Sequence, residues 1–435
     1  MINVPNLVKE LYKTVNSSEV NKNYNISINN GVINLQNTEL VYDTFKLEHK
    51  LCSADTLTFG ECNAAMLQFQ CASTIGDVKG KDLVLKQNIN SNIITLGKFI
   101  IESCEITENK KYRTITAYDS IYKFNIDVSN WYENLTFPIA MLNMLKSLCN
   151  YVNITCNVTS LVNGSLALEK TISADELQGI TILKCIAELN GGFFRTGTNG
   201  ALEFITLSTS TTVETIDVKL YSSLKKEDYA THIYDKLNIR TEEGDIGVTL
   251  GSGNNAYVIE DNFLIYGKSS QELQPVANNI FNIINAISYV PFSSSQVGLP
   301  YLQAGDYIKY NTLAGTFSSL ILSRSLSGTQ VLKDNIETKG TEKTEAIFGV
   351  QKEIIKLKGK SNVLTRTIEE TKQSVNSLET TLIDNYSTTT DMNSAITQSA
   401  NNIKLETSQT YTTKTDFNNL KIGGTNLIVR STELV

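Results

Sequence analysis

The chain has 435 residues, of which 41% are hydrophobic and 19% are charged, and its formal net charge is −7. This apolar content is enough for packed cores and excludes a disordered chain, and the length predicts roughly two to four domains. The acidic balance argues against a protein that grips a nucleic-acid backbone, since such binding needs clustered Lys and Arg.

The sequence predicts neither a secretory leader nor a membrane span. MINVPNLVKELYKT has no apolar core, and no run of about 18 apolar residues occurs anywhere. The seven cysteines are odd in number, form no CxxC and lie in the first half of the chain. This usage predicts reduced, mostly buried thiols in a chain made in a cytosol.

Residues 1–130 are predicted to form a first barrel-like β domain. NYNISINNGVINLQ reads as a hairpin, because apolar residues alternate on both sides of Asn29-Asn30-Gly31. A second hairpin is predicted to turn at Glu108–Lys111, between two β-branched runs.

Residues 131–215 are predicted to form an α+β domain. Ile139, Leu142 and Leu145 repeat at helical spacing after Pro138. A second helix is predicted to begin at Ser173, which forms a capping box with Glu176, and to end at Asn190-Gly191-Gly192.

The glycine-rich stretch ELNGGFFRTGTNGALEFI (188–205) suggests either a phosphate-binding loop or a hairpin. A phosphate loop connects a strand to the N-terminus of a following helix, whereas here the glycines follow a predicted helix. The order therefore predicts a helix cap and then a hairpin that turns at Gly197–Gly200.

Residues 216–340 are predicted to form a second barrel-like β domain with a helical insert near 270–290. KLNIRTEEGDIGVTLG and GDYIKYNTLAGTFSSLILSRSLSG are rich in alternating strand patterns. The order of strands, then helices, then strands suggests two similar barrels with a helical element between them.

Residues 341–385 carry an apolar repeat at spacings of three and four, which predicts a coiled coil. The alternative is a single helix packed on the body. The pattern itself leaves two or three strands open. The predicted oligomerisation seam consists of Ile347, Val350, Ile354, Leu357, Leu364, Ile368, Val375, Leu378 and Leu382.

The residues after the predicted coiled coil divide into a polar run and a short strand-like end. Residues 386–421 are rich in Thr, Ser and Asn and predict a fibrous stalk that needs partner chains for order. Residues 422–435, IGGTNLIVRSTELV, read as the first strand of a further β domain, so we expect the natural chain to continue.

The residues of catalytic chemistry are sparse. The two histidines, His49 and His232, lie in separate strand-rich ranges without zinc-binding spacing, and no GxSxG occurs. We therefore predict no catalytic, cofactor-binding or metal-binding residue, no cofactor and no enzymatic activity in this chain. An enzyme is left open only for a region beyond residue 435.

The order of these elements resembles the tail-tip or baseplate hub proteins of tailed bacteriophages, the family also called tail-associated lysins or prophage endopeptidase tail proteins. The stretches that carry the resemblance are TITAYDSIYKF (114–124), CIAELNGGFFRTGTNGALEFI (185–205), GLPYLQAGDYIKY (298–310) and ITQSANNIKLETSQTYTT (396–413). IGGTNLIVRS (422–431) is similar to the opening strand of carbohydrate-binding-like domains in these proteins. The resemblance spans most of the chain.

This resemblance implies a fold that is α+β but mainly β. It implies two barrel-like antiparallel β domains, an intervening α/β domain, a C-terminal trimeric coiled coil and a fibrous stalk. It also implies a structural homotrimer, assembled in the bacterial cytoplasm and located at the phage tail tip. The implied partners are the distal tail protein, the tail tube and the tape-measure protein, and DNA passes through without specific binding.

Two alternatives belong to other functional classes. One is a cell-wall-degrading tail lysin whose catalytic domain lies C-terminal to this chain. The other is a receptor-binding fibre that holds a host cell-surface glycan through the domain beginning at Ile422.

Overall fold

The computed structural model describes residues 1–14, 20–52, 57–241, 247–340, 347–348 and 397–402. The described elements up to Phe348 belong to one compact unit, and the exposed helical segment 397–402 belongs to another. Apart from residues 347–348 and 397–402, the predicted coiled coil, stalk and terminal β domain lie outside the described residues.

The N-terminal part of the chain is a helix followed by strands. The helix is α1, Asn6–Lys13. The strands are β1 (Lys22–Ile28), β2 (Ile33–Gln36), β3 (Lys46–Lys50), β4 (Met66–Ala72), β5 (Asp82–Ile89), β6 (Asn92–Ile106) and β7 (Tyr112–Asp119).

Both hairpins predicted in this part are confirmed. β1 and β2 pair antiparallel, and Ile28 lies opposite Ile33 at the end of the turn. Asn29, Asn30 and Gly31 have φ of 54°, 56° and 91°, a left-handed backbone that Asn and Gly adopt more readily than other residues. β6 and β7 pair in the same way around the second predicted turn.

The middle of the chain contains most of the helices. Its elements are α2 (Ser129–Glu133), β8 (Ile139–Ala140), α3 (Met141–Tyr151), β9 (Ala167–Leu168), α4 (Gly179–Glu188), β10 (Phe193–Thr196) and β11 (Leu202–Ile205). The helix predicted after Pro138 begins at Met141, because Ile139 and Ala140 pair with β9.

The prediction that the next helix begins at Ser173 is wrong, since α4 begins at Gly179. Glu176 has a left-handed φ of 56°, which no helical residue adopts. Tertiary hydrogen bonds hold this segment out of the helix: Leu177 accepts from the Val128 amide at 2.7 Å and donates to the Ser129 hydroxyl at 2.8 Å. Because Ser173 and Glu176 lie before the helix, they do not cap it.

The last β-rich range contributes the remaining strands and one long helix. The elements are β12 (Glu214–Ile216), β13 (Tyr221–Lys226), β14 (Lys236–Ile239), β15 (Val248–Gly251), β16 (Ala256–Ile259), α5 (Ser270–Ile284), β17 (Phe292–Val297), β18 (Tyr307–Thr312), β19 (Gly315–Leu320), β20 (Ser323–Ser327), β21 (Lys333–Thr338) and β22 (Ile347–Phe348).

An 11-stranded antiparallel sheet runs through both β-rich ranges. Its order is β13-β17-β21-β20-β3-β4-β7-β6-β5-β1-β2, so the pair β20–β3 joins the two ranges. The sheet curls, which brings its β2 end close to the turn between β20 and β21. There the side chain of Asn37, just beyond β2, donates a hydrogen bond to the Thr329 carbonyl. The domain boundaries predicted at residues 131 and 216 stay predictions, but the strands on either side of them share one sheet.

Two apolar cores support this arrangement. The first lies within the curled sheet and combines Tyr24, Phe69 and Leu85 with Leu326 and Ile336, so both β-rich ranges contribute to it. Each such fully buried apolar side chain contributes about 1.5–3 kcal/mol. These shared contacts, together with the β20–β3 pairing, make the two ranges one structural body.

The second core packs the helices against smaller sheets. Leu145 of α3, Ile186 of α4 and Ile280 of α5 lie in it together with Tyr257 of β16. The chain is therefore mainly β, with the helices grouped around this second core. None of the helices in the described stretches has both the length and the apolarity to cross a membrane.

Candidate functional site: buried polar contacts and open sheet edges

The predicted coiled-coil seam falls almost entirely outside the described residues. Ile347 is the exception, and its backbone is extended in β22, which pairs parallel with β16. The eight seam residues from Val350 to Leu382 lie outside the described part of the chain. The seam therefore stays a prediction.

The glycine-rich stretch is a helix cap followed by a hairpin, as its flanking residues predict. Gly191 has a left-handed φ of 62°, and the Gly192 amide donates back to the Ala187 carbonyl of α4 at 3.2 Å. β10 and β11 then pair antiparallel. These glycines shape the backbone after a helix and present no helix N-terminus to a phosphate.

Two buried asparagines hold this cap in place. The Asn190 side-chain oxygen accepts from the Asn163 amide at 2.9 Å, and its NH2 group donates to the Ile186 carbonyl at 2.7 Å. Asn163 in turn donates to the Leu189 carbonyl at 2.7 Å. Both side chains are almost fully buried, so their hydrogen bonds have a structural role.

A small cavity of mixed polar and apolar lining lies where β3, β6, β7 and β20 approach the β10–β11 hairpin. Its walls include His49, Lys98, Asp119, Thr196 and Arg324. The volume is about 50 Å³. Water occupies about 30 Å³ per molecule in the liquid, and ligand pockets typically measure about 300–1,000 Å³. This cavity is therefore too small for an organic substrate.

Burial shifts the pKa of two titratable groups beside this cavity, His49 and Asp119. Burial, and then the positive charges of Arg195 and Arg324, lower the pKa of His49 to about 3. Burial raises the pKa of Asp119 to about 6, although Thr196 and the Ile121 amide donate hydrogen bonds to its carboxylate at 2.9 and 3.0 Å. A neutral imidazole and a fully bonded carboxyl group in a space this small are features of a packed interior.

A buried ion pair joins two neighbouring strands beside the cavity. Arg324 of β20 donates to both carboxylate oxygens of Asp334 of β21 at 2.8 and 2.9 Å. Asp334 also accepts from the Leu299 amide at 2.7 Å, and Arg324 donates to the Leu299 carbonyl at 2.9 Å. The pair therefore fixes the loop before β18 to the β20–β21 hairpin.

The sequence analysis did not identify this pair, although the strand pattern contains a signal for it. Leu322, Arg324 and Leu326 alternate along β20 and its approach, and all three are buried. Leu332, Asp334 and Ile336 repeat the pattern on the next strand. Opposite charges at core-facing positions of consecutive strands predict a buried ion pair, because an unpaired buried charge is costly.

An open groove of about 350 Å³ lies between α1 and β12. Its walls are mostly polar, whereas small-molecule sites are mostly apolar. Lys13 of α1 pairs with Glu214 of β12 at 2.9 Å and with Glu10 at 3.0 Å. The ion pair between Lys13 and Glu214 therefore helps to hold α1 against β12.

No cluster of three or more metal-ligating side chains occurs in the part of the chain that the structure describes. All seven cysteines are free, and five of them are buried, which confirms the prediction of unpaired and mostly buried thiols.

Among the strands that the structure describes, β2 and β13 form the two edges of the large sheet, because each pairs with a described neighbour on one side only. On β2 the Gln36 amide donates to the Glu39 carboxylate at 2.9 Å instead of to β1. The backbone amide of Asn34, two residues earlier, points in the same direction as that of Gln36, because backbone amides alternate in direction along a strand. The Asn34 amide therefore faces the open edge, and its side chain is exposed.

The edge strand β13 differs from β2 in its side chains. Ser222, Lys225 and Lys226 are exposed, and lysines on an edge strand limit unspecific pairing. Strand addition at this edge therefore requires a partner that accommodates the two lysines.

No family model matches the chain, and no curated protein sequence matches it. Solved structures do match. A tail protein from Neisseria meningitidis is 12% identical with a TM-score of 0.49, over 74% of this chain and 96% of that one. The prophage MuSo2 43 kDa tail protein from Shewanella oneidensis is 9% identical with a TM-score of 0.48, over 73% and 98%. A prophage tail protein from Listeria monocytogenes is 12% identical with a TM-score of 0.40, over 79% and 99%.

Proposed function

We propose that this chain is a structural hub of a phage tail tip or baseplate. In this role it joins the tail tube and the distal tail protein to the tip, contacts the tape-measure protein and lets DNA leave during host attachment. The observation that carries the proposal is the single sheet of 11 strands that unites both β-rich ranges over a shared core. Such a body is a rigid frame with open edges at both ends.

The polar interior supports a structural role over a catalytic one. The charges of Arg324 and Asp334 are fully used in pairing and in bonds to Leu299, and the cavity beside them is too small for a substrate. We therefore propose that the chain is not an enzyme. Incubation of the purified chain with peptidoglycan is expected to release no soluble fragments. Release above the level of a heat-denatured control contradicts this part of the proposal.

We further propose that the chain is a homotrimer located in the virion. The predicted coiled coil and the resemblance to hub proteins support three copies, and the net charge of −7 suits a channel that DNA passes without binding. Native mass spectrometry of the full chain is expected to give a particle of three times 48.1 kDa. A mass of one chain at every concentration tested refutes the hub.

We propose that the β2 edge is one of the interfaces between copies of this chain. Open strand edges accept strands from another chain, and closed symmetric oligomers remove such edges. Asn34→Pro deletes an amide that faces the open edge, and proline is tolerated at such positions of edge strands. We expect this variant to keep its far-ultraviolet circular dichroism and to lose trimer, while Asn34→Ala keeps both. If both variants keep the trimer fraction of the wild-type chain, the β2 edge is not a contact between copies.

The glycan-binding alternative is tested separately. The full chain and a chain truncated after residue 421 are compared on an array of bacterial surface glycans. If neither chain binds any glycan, the receptor-binding alternative is excluded and only the structural role remains. Binding that is lost on truncation assigns a receptor function to the region from Ile422 onwards.

A further inference from the structure

A pair of aromatic rings lies at the surface where α2 meets the last turn of α3. Trp131 is the only tryptophan of the chain, and the centre of its ring lies 6.1 Å from that of Tyr151, at an interplanar angle of 36°. Tyr151 is 48% exposed, and Trp131 is partly exposed. The two tilted rings therefore form an aromatic surface that solvent reaches.

The helix that carries Trp131 is fixed by its buried side. Tyr132, the next residue of α2, is fully buried, and its ring packs against those of Phe137 and Phe263 at 5.4 and 6.1 Å between ring centres. The Trp131 indole N–H donates to the Ser147 hydroxyl of α3 at 3.2 Å. These contacts hold the indole ring in one orientation, so a ligand meets a surface that is already organised for it.

Uncharged polar side chains flank the two rings. Asn150, which precedes Tyr151, is exposed, as are Asn130 and Asn134 on either side of Trp131. The Asn134 NH2 group donates to the Asn130 carbonyl at 2.7 Å and to its side-chain oxygen at 3.0 Å. Within the described residues, the Asn134 side-chain oxygen and the Asn130 NH2 group have no protein partner. An acceptor and a donor therefore remain available beside the indole ring.

This combination suits a sugar ring better than a charged ligand or a protein. A pyranose presents C–H groups on its face, which pack on aromatic rings, and hydroxyl groups at its edge, which donate and accept hydrogen bonds. Glu133 of α2 is paired with Lys170, so its carboxylate is not available to a cation. A specific protein interface buries about 1,200–2,000 Å², and two ring faces flanked by amides supply only a small part of that area.

We propose that Trp131 and Tyr151 bind one pyranose ring of a neutral polysaccharide. The face of the sugar packs on the two aromatic rings, and hydroxyl groups at its edge bond with Asn130 and Asn134. The site lies in the folded body, so it depends neither on the hub proposal nor on the region from Ile422 onwards. A chain truncated after residue 421 is therefore expected to bind as the full chain does.

The test uses the full chain and the fluorescence of Trp131, which no other tryptophan obscures. Chitotetraose and maltotetraose are each added up to about 10 mM, which covers dissociation constants in the millimolar range. We expect a saturable change in emission with at least one of the two, and saturation transfer by NMR to the C–H protons of that sugar. Mannitol, a polyol without a ring, is the matched control and is expected to leave the emission unchanged.

Three variants assign the binding to this surface. Tyr151→Ala is expected to bind the sugar at least about tenfold more weakly, because one of the two stacking rings is lost, and Tyr151→Phe is expected to bind as wild type does. Tyr42→Ala is the control, since Tyr42 is 87% exposed in the segment between β2 and β3 and its loss should leave binding unchanged. Far-ultraviolet circular dichroism verifies that each variant is folded.

Two results overturn the proposal. One is an emission that neither oligosaccharide changes more than mannitol does. The other is a Tyr151→Ala variant that binds the sugar as tightly as wild type or as Tyr42→Ala, since binding then takes place elsewhere on the chain.

Discussion

Removing one member of the buried ion pair between β20 and β21 is expected to lower the free energy of unfolding substantially. Asp334 is fully buried and accepts hydrogen bonds from the Arg324 guanidinium at 2.8, 2.9 and 3.1 Å and from the Leu299 amide at 2.7 Å. Asp334→Ala leaves the Arg324 charge buried without a partner and the Leu299 amide without an acceptor. Breaking a buried pair in this way costs about 3–5 kcal/mol of unfolding free energy.

Replacing both members tests whether the unpaired charge is the cause. Arg324→Met with Asp334→Leu removes both charges and fills similar volume. The Leu299 amide then loses its acceptor, and the Leu299 carbonyl loses the Arg324 donor but keeps the Leu302 amide at 2.9 Å. An unsatisfied buried group costs about 1–3 kcal/mol, and the double variant should therefore be more stable than Asp334→Ala. Glu48→Ala is the control, because the Lys46–Glu48 pair is partly exposed at the surface and such pairs contribute about 0–1 kcal/mol.

The measurement is equilibrium urea unfolding of the full chain, followed by far-ultraviolet circular dichroism, with the midpoint and slope fitted for each variant. The reasoning is refuted if Asp334→Ala lowers the free energy of unfolding by less than about 1 kcal/mol. It is also refuted if the double variant is less stable than Asp334→Ala, since the cost then does not come from an uncompensated charge.

Three further predictions concern the seam, a helix cap and the glycine stretch. Leu357→Lys and Ile368→Lys are each expected to reduce the trimer fraction measured by mass photometry, because they place like charges in the predicted apolar seam, and to leave the N-terminal body folded. Glu272→Ala is expected to lose about 0.5–2 kcal/mol at neutral pH by removing the capping box of α5. Hydrogen bonds from Ser269 lower the pKa of Glu272 to about 2 from 4.5, so its carboxylate stabilises the fold above pH 4.5, and the difference between variant and wild type should shrink as pH falls towards 2. Gly192→Ala is expected to lower the free energy of unfolding in urea by about 1–3 kcal/mol, because a Cβ at this position collides with the carbonyl oxygen of Ile205 in β11.

Each of these predictions has an outcome that contradicts it. For the seam, Glu370→Lys is the control, since its predicted position faces away from the seam, and both seam variants remaining as trimeric as this control removes the coiled-coil claim. For the cap, a stability difference that stays constant from pH 5 to pH 3 excludes the carboxylate as its source. For the glycine, a variant as stable as wild type shows that β11 is not held against the end of α4.

The sequence predicted the local hairpins because their signals are short-range. Asn29-Asn30-Gly31 supplies three consecutive left-handed residues, and alternation on both sides sets the register of β1 and β2. The same holds for the cap at Gly191 and the hairpin after it. The charges of Arg324 and Asp334 were equally readable, as polar residues at core-facing positions of alternating strands.

The start of α4 was not predictable from the sequence in the same way. Ser173 and Glu176 have the spacing of a capping box, which is a true local preference. Hydrogen bonds with residues far earlier in the chain hold the segment out of the helix instead, as in the 2.8 Å bond that Leu177 donates to Ser129, 48 positions away. Tertiary bonds of this kind override local propensity because they act on the same backbone groups.

The amino-acid sequence by itself determined the elements of this protein: a β-rich chain with helices in the middle, free cysteines, and turns where Asn and Gly permit a left-handed backbone. Only the tertiary structure decided how these elements meet. The pairing of Leu326 in β20 with Leu47 in β3, which joins the two β-rich ranges, has no short-range signal. Strand partners distant in sequence are chosen by the burial of shared apolar surface, which exists only once the whole sheet has formed.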